Sequence, residues 1–151
     1  MQVDVISIDD NLDELVNLIN TAKWDEDNAI SPYDVVALKM YLDRQDTVFV
    51  ACFEEVQGHK ILLGMASSRI EIKPYNQELW FYVDEVDVCA DQRQRGVGSA
   101  IMKRLFTLAE EAGCEELWLG TEVENKAANA LYRALDPDDV DQVVGYTWET
   151  D

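Results

Sequence analysis

Histidine is nearly missing from this sequence. The single copy, His59, lies in a predicted hairpin turn between Gly58 and Lys60, where a solvated loop residue is the expected reading, so a serine or cysteine triad has no base to rest on. Cysteine is scarce as well. Cys52, Cys89 and Cys114 are odd in number, far apart and without metal-type spacing, which argues for reduced thiols over a disulfide framework. No ligand set for a metal is recognisable, although abundant carboxylates could hold ions weakly. No apolar run approaches the ~18 residues of a membrane span. Met1 to Asp10 has no basic region followed by an apolar core, so a soluble, cytoplasmic protein is expected. Repeats and low-complexity linkers are also missing, and a single domain over residues 1–151 is the expected organisation.

Basic residues are the next shortage. Twelve lysines and arginines face 31 acidic residues, for a net charge of -19 and a pI near 4.1. A field of that sign repels nucleic acid and anionic membranes and attracts cationic small molecules or basic peptides. The acidic pairs Asp9-Asp10, Glu54-Glu55, Glu110-Glu111 and Glu115-Glu116 read equally well as solvated faces or as adaptation to a salty cytoplasm. The apolar content of 48% supports a packed core rather than disorder. Core packing is the expectation for Trp24, Trp80, Trp118 and Trp148.

What is present is an α/β alternation in the order β-α-α-β-β-β-α-β-α-β. Val3 to Ile8 reads as a strand, and Leu12, Leu15, Val16 and Ile19 trace one face of a helix. Ser31-Pro32 predicts the cap and first turn of a second helix reaching Leu42. Strands follow at Thr47 to Phe53 and Ile61 to Ile72 around a Gln57-Gly58 turn, and a third at Leu79 to Val88. Ile101, Leu105, Leu108 and Ala112 recur at helical spacing, with Gly113 as the C-terminal cap. A short strand at Leu117 to Thr121, a helix at Asn125 to Leu135 and a last strand at Val143 to Trp148 complete the pattern.

The stretch Arg93-Gln94-Arg95-Gly96-Val97-Gly98-Ser99 joins the third of those strands to the helix predicted from about Ser99. Two glycines allow a tight turn and close approach to a ligand, and the first N–H groups of the helix have no partner of their own, so the stretch reads as a pyrophosphate cradle. It lacks the Gly-Lys-Ser/Thr of a Walker loop and the third glycine or alanine of a dinucleotide fingerprint. On the strand itself stand Asp84, Glu85 and Asp87. Strict alternation puts Glu85 and Asp87 on one face and Asp84 on the other.

The spacing Arg-x-x-Gly-x-Gly at Arg93, Gly96 and Gly98 resembles the acetyl-CoA signature of the GNAT superfamily of N-acetyltransferases. A second match is Asn125-Lys126-Ala127-Ala128-Asn129-Ala130-Leu131-Tyr132, which looks like the family's helix beside the thiol end of the cofactor. The resemblance runs nearly from end to end and implies a GNAT fold, a mixed, mostly antiparallel central sheet flanked by helices. It departs from the family after Tyr132, where Tyr-x-x-x-Gly-Phe is replaced by Tyr132-Arg133-Ala134-Leu135-Asp136-Pro137.

The resemblance implies direct transfer of an acetyl group from acetyl-CoA to an amine. The acceptor must first lose a proton, since an alkylammonium titrates near ~10 in water, and Glu85 is the first choice of base with Asp84 its competitor. Tyr132 is the implied acid for the departing thiolate. Val86 and Val88 supply backbone groups for the thioester carbonyl and the pantetheine amides. Arg93, Gln94, Arg95, Gly96, Val97, Gly98 and Ser99 bind the diphosphate, with Asn125 and Ala128 also on the cofactor. Trp80-Phe81-Tyr82-Val83-Asp84-Glu85-Val86 ahead of the cradle is similar to the type I aminoglycoside 3-N-acetyltransferases. That similarity implies a cationic antibiotic as acceptor, with Asp84, Glu85, Glu122 and Glu124, and the Glu149 to Asp151 tail, as complementary charge. Another small amine, a protein amine, or a non-catalytic acyl-CoA sensor are the alternatives. Family members are commonly homodimers, and the last strand is expected either to complete a sheet edge or to meet a partner.

Overall fold

The structure is a computed structural model that describes residues 1–26 and 30–151. Two compact units divide it, Met1–Leu119 and Gly120–Asp151. The first holds a five-stranded sheet whose spatial order follows the chain: β1 (Gln2–Val5), β2 (Thr47–Val56), β3 (His59–Ile72), β4 (Leu79–Val88) and β5 (Glu116–Leu119). The first three pairings are antiparallel and β4 with β5 is parallel, which is the expected mixed, mostly antiparallel sheet. The β2–β3 hairpin turns at Gln57 and Gly58, both with positive φ (52° and 80°), the backbone that matches the twist of the flanking strands.

Helices α1 (Leu12–Thr21) and α2 (Val35–Asp43) cover one face of this sheet. Asn11 caps α1 by accepting the Glu14 N–H, and Leu12, Leu15, Val16 and Ile19 pack with Phe49, Ala51 and Met65. The α2 helix starts later than Ser31-Pro32 predicted. Its cap is Asp34, because Tyr33 is held outside the helix by a reciprocal pair: its N–H donates to Asn20 Oδ1 (2.8 Å) and its carbonyl accepts from Asn20 Nδ2 (2.9 Å). The strand predicted to Ile8 stops at Val5, where the Ser7 N–H turns to the Asp10 carboxylate.

Helix α3 (Val97–Glu111) covers the opposite face and begins two residues before Ser99. Gly64 shows how closely it packs: an added Cβ would lie 3.0 Å from both Ile101 Cδ1 and Val97 Cγ1. Gly113, with φ of 76°, follows α3 as predicted. Ser68, the buried polar residue of the core, donates its N–H to the Tyr41 hydroxyl (3.1 Å), which donates in turn to the Ser68 carbonyl (2.8 Å). Burial pushes the Tyr41 phenol up to about 12.

The second unit contains α4 (Lys126–Arg133). The strand expected at Val143 to Trp148 does not form: these residues carry no ladder, and Val143, Val144, Tyr146 and Trp148 are 69–79% exposed. Their β preference is real, but a strand exists only where a neighbour takes its backbone hydrogen bonds. Core packing fails for Trp148 on the same count, and Trp118 on β5 is also exposed.

Candidate active site

The connection from β4 to α3 first makes a short turn at Ala90–Gln92 and then enters the left-handed region twice, at Gln94 (φ 59°) and Gly96 (φ 79°). Gly96 is the N-cap of α3 and offers no side chain, while the Ala100 N–H is the first to bond back, to the Gly96 carbonyl (2.9 Å). The N–H groups of Val97, Gly98 and Ser99 therefore lack an intrahelical acceptor and carry the positive end of the helix dipole. Val97 and Gly98 are buried, so they present backbone and anchor the turn to the core. Both arginines already hold carboxylates. Arg93 pairs with Asp25, and Arg95 pairs with Glu54 (2.7 Å). A diphosphate on this turn would compete with those two carboxylates for the guanidinium groups.

Strand β4 leads into the turn with one side open. It pairs with β5 only from Trp80 to Val83, so from Asp84 to Val88 that edge has no strand partner among the described residues. Val86 and Val88 lie on this stretch, where backbone N–H and C=O groups could pair with the amides of an extended ligand.

The carboxylates differ from simple alternation. The β3–β4 register slips between Ser67 and Ser68, with Glu85 opposite Ser67 and Val83 opposite Ser68, which leaves Asp84 as the extra residue of a bulge. Alternation put Asp84 on the far face. Instead its carboxylate accepts from Arg69 Nε (3.2 Å), and Arg69 lies over the Tyr82 ring and also binds Glu71. Asp84 is thus committed to an ion-pair network, while Glu85 is exposed with no ion pair among the described residues. Asp87 stands opposite Met65 on the Glu85 face and is more buried. Burial, and then the charge of Glu85, push its carboxyl up to about 6.

Tyr33 joins this group from the α1–α2 connection. Its ring sits edge-on to Phe49 (6.1 Å between centroids), and its phenol is pushed up to about 12 by burial and then by the charges of Glu85 and Asp87. Sequence reasoning missed it. Some fifty residues separate Tyr33 from β4, and no local pattern marks the encounter. Beyond the carboxylates, Trp80 stacks on Tyr82, Tyr82 meets Trp118 edge-on, and Lys73 Nζ lies 4.2 Å from the Trp80 centroid.

The second unit carries the remaining candidates. Asn125 and Ala128 are joined to each other, the Asn125 Oδ1 accepting the Ala128 N–H (3.1 Å) as the cap of α4. Glu122 and Glu124 are exposed on the turn before it, with the Glu122 carbonyl accepting from Asn125 N–H and Asn129 Nδ2. Tyr132 is half-buried on α4. Asp136, which stands where the pattern of the resemblance has glycine, adopts φ of 53°, a left-handed backbone that glycine takes most readily and aspartate tolerates.

A model described as the acetyltransferase (GNAT) family matches residues 12–136. Among curated proteins, a thialysine N-epsilon-acetyltransferase of Bos taurus is 34% identical over 65 residues, 43% of this chain and 38% of that protein. The N-alpha-acetyltransferase MAK3 of Arabidopsis thaliana is 41% identical over 54 residues, 36% of this chain and 28% of that one. The chain therefore matches well under half the length of these curated relatives. Among solved structures, an aminoglycoside acetyltransferase from an uncultured soil metagenomic sample, in complex with sisomicin, superposes with a TM-score of 0.80. That superposition covers 99% of this chain and 96% of the other at 15% identity, and it speaks to the fold. No helix among the described residues is long and apolar enough to cross a membrane.

Proposed function

The chain belongs to the acetyltransferase (GNAT) family, and on that premise we propose that it transfers the acetyl group of acetyl-CoA directly to a primary amine, that of a cationic aminoglycoside at its 3-N position. The family takes its acetyl group from acetyl-CoA. One observation carries the reading: an unpaired strand edge from Asp84 to Val88 runs straight into the unpartnered N–H groups at the start of α3, with Glu85 and Asp87 on that same strand. Amide-pairing edge, anion-binding turn and carboxylates follow one another within sixteen residues, Asp84 to Ser99, as an extended donor with a diphosphate and an ammonium acceptor require.

In this reading Arg93 through Ser99 hold the diphosphate and Val86 and Val88 meet the pantetheine and the thioester carbonyl, while the family resemblance also assigns Asn125 and Ala128 to the cofactor. When bound, acetyl-CoA supplies the activated acyl group. Glu85 meets the acceptor ammonium and draws off its proton directly or through water. Tyr132 protonates the leaving thiolate, the role that the family resemblance gives it. Asp84, Glu122 and Glu124 add negative charge for a polycation, and the soil enzyme's complex with sisomicin supports that choice of acceptor. The two curated relatives favour a second reading, a small amino-acid-like or protein amine.

Thiol release from acetyl-CoA, with gentamicin-type aminoglycosides beside spermidine, thialysine and a basic peptide, separates these readings. We expect turnover with an aminoglycoside, and a loss of roughly 10²- to 10⁴-fold in Glu85→Gln and Tyr132→Phe with acetyl-CoA binding kept. Silence toward every amine, with acetyl-CoA still protecting the protein from heat, would leave a non-catalytic acyl-CoA sensor.

A further inference from the structure

The face that carries Glu85 holds a second carboxylate that sequence reasoning did not use. Glu85 and Asp87 are two residues apart on β4 and stand opposite Ser67 and Met65, so both project to the side covered by α1 and α2. The bulge at Asp84 gives its carboxylate to Arg69 and leaves the other two without a cation. Around Asp87 are Glu85 on its own strand, Met65 on β3, Tyr33 from the α1–α2 connection with Tyr41 behind it on α2, and Cys89 at the strand end. None of these is a cation. Among the described residues no hydrogen-bond donor reaches the Asp87 carboxylate either.

A half-buried carboxylate beside a like charge, with no partner, is poorly placed as a structural anion and well placed to take a proton. Resting on the acetyl-transfer reading above and changing only its choice of base, we propose that Glu85 and Asp87 work as a pair, in which Glu85 binds the acceptor ammonium and Asp87, in place of Glu85, takes its proton. An N–H bond of the ammonium breaks with its electron pair left on nitrogen, an O–H bond forms on Asp87, and that proton passes to water after turnover. The neutral amine is then the nucleophile, held beside the anionic Glu85. Tyr33 keeps its own proton throughout, since burial and both carboxylates disfavour the phenolate.

The test combines a pH profile of kcat/KM for any amine the enzyme turns over with direct carboxyl titration by NMR, assigned through Asp87→Asn. Wild type should lose activity through an acidic limb centred near 6, where Asp87 becomes protonated. Glu85→Gln removes the like charge, so its limb should move to lower pH while KM for the amine rises. Asp87→Asn should lose the limb and at least ~10-fold in kcat, with acetyl-CoA affinity unchanged. Full activity with an unaltered limb in Asp87→Asn overturns the proposal. If no amine is turned over, the acetyl-transfer reading fails by itself, and the titration still decides the pair. An Asp87 midpoint near 6 that falls in Glu85→Gln sustains it, and an ordinary midpoint of about 4 overturns it.

Discussion

Asp87 is ionised at neutral pH in a place that disfavours the charge, and folding bears the difference. Its carboxyl is raised from 3.8 to about 6 by burial and by Glu85. A folded-state value above the unfolded one means that the group favours the folded state below about pH 4 and gives up that advantage as pH rises through 6. Asp87→Asn should therefore be more stable than wild type at pH 8 by about 1 to 2 kcal/mol, less than the full shift implies because the side chain keeps some contact with water. Near pH 4 the two should converge. Urea unfolding at both pH values checks this, and equal midpoints at pH 8 would refute it. A variant that gains stability while losing turnover is the signature of a residue kept for chemistry rather than for the fold. The arginines of the cradle turn show the opposite bias, since Asp25 and Glu54 give each a partner.

Among the elements, the packing of β3 against α3 sets where the cradle turn lies. At Gly64 a methyl group would meet the Asp87 carbonyl at 2.8 Å as well as the Ile101 and Val97 side chains. We expect Gly64→Ala to cost about 1 to 3 kcal/mol, read as a lower urea midpoint at unchanged slope, and to weaken acetyl-CoA binding because β4 and the first turn of α3 are pushed apart. Most elements were legible in advance because their signals are local. The β-branched and aromatic runs of β2 to β4, the apolar stripe of α1 and the Gln57-Gly58 turn each act over a few residues. What escaped depends on partners distant in sequence. The bulge at Asp84 is a mismatch of register between two strands, and the delayed start of α2 follows from Asn20 holding Tyr33. Val143 to Trp148 has a strand's composition without a strand's neighbour. The cradle turn was legible for the same local reason as the hairpin, whereas Tyr33 beside Glu85 and Asp87 was not.

For the whole molecule, the net charge of -19 sets up self-repulsion across the surface. Self-repulsion of that size is screened by salt, so melting temperature should climb between about 0.05 and about 0.5 M NaCl. Over the same range KM should rise for a multiply charged acceptor and hold steady for a singly charged one if the acidic surface gathers substrate. Equal KM behaviour for both would assign the charge to salt tolerance alone. The open side of β4 gives that charge a further meaning. A strand edge with no strand partner among the described residues from Asp84 to Val88 invites any extended chain to add itself to the sheet, and such edges are where proteins begin to aggregate. Glu85 and Asp87, the two carboxylates there without a cation, act as gatekeepers: another chain adding to this edge must settle beside negative charge, whereas a slender, mostly apolar ligand arm threads past. On the acetyl-transfer reading, an edge that repels its own kind is one kept free for its guest.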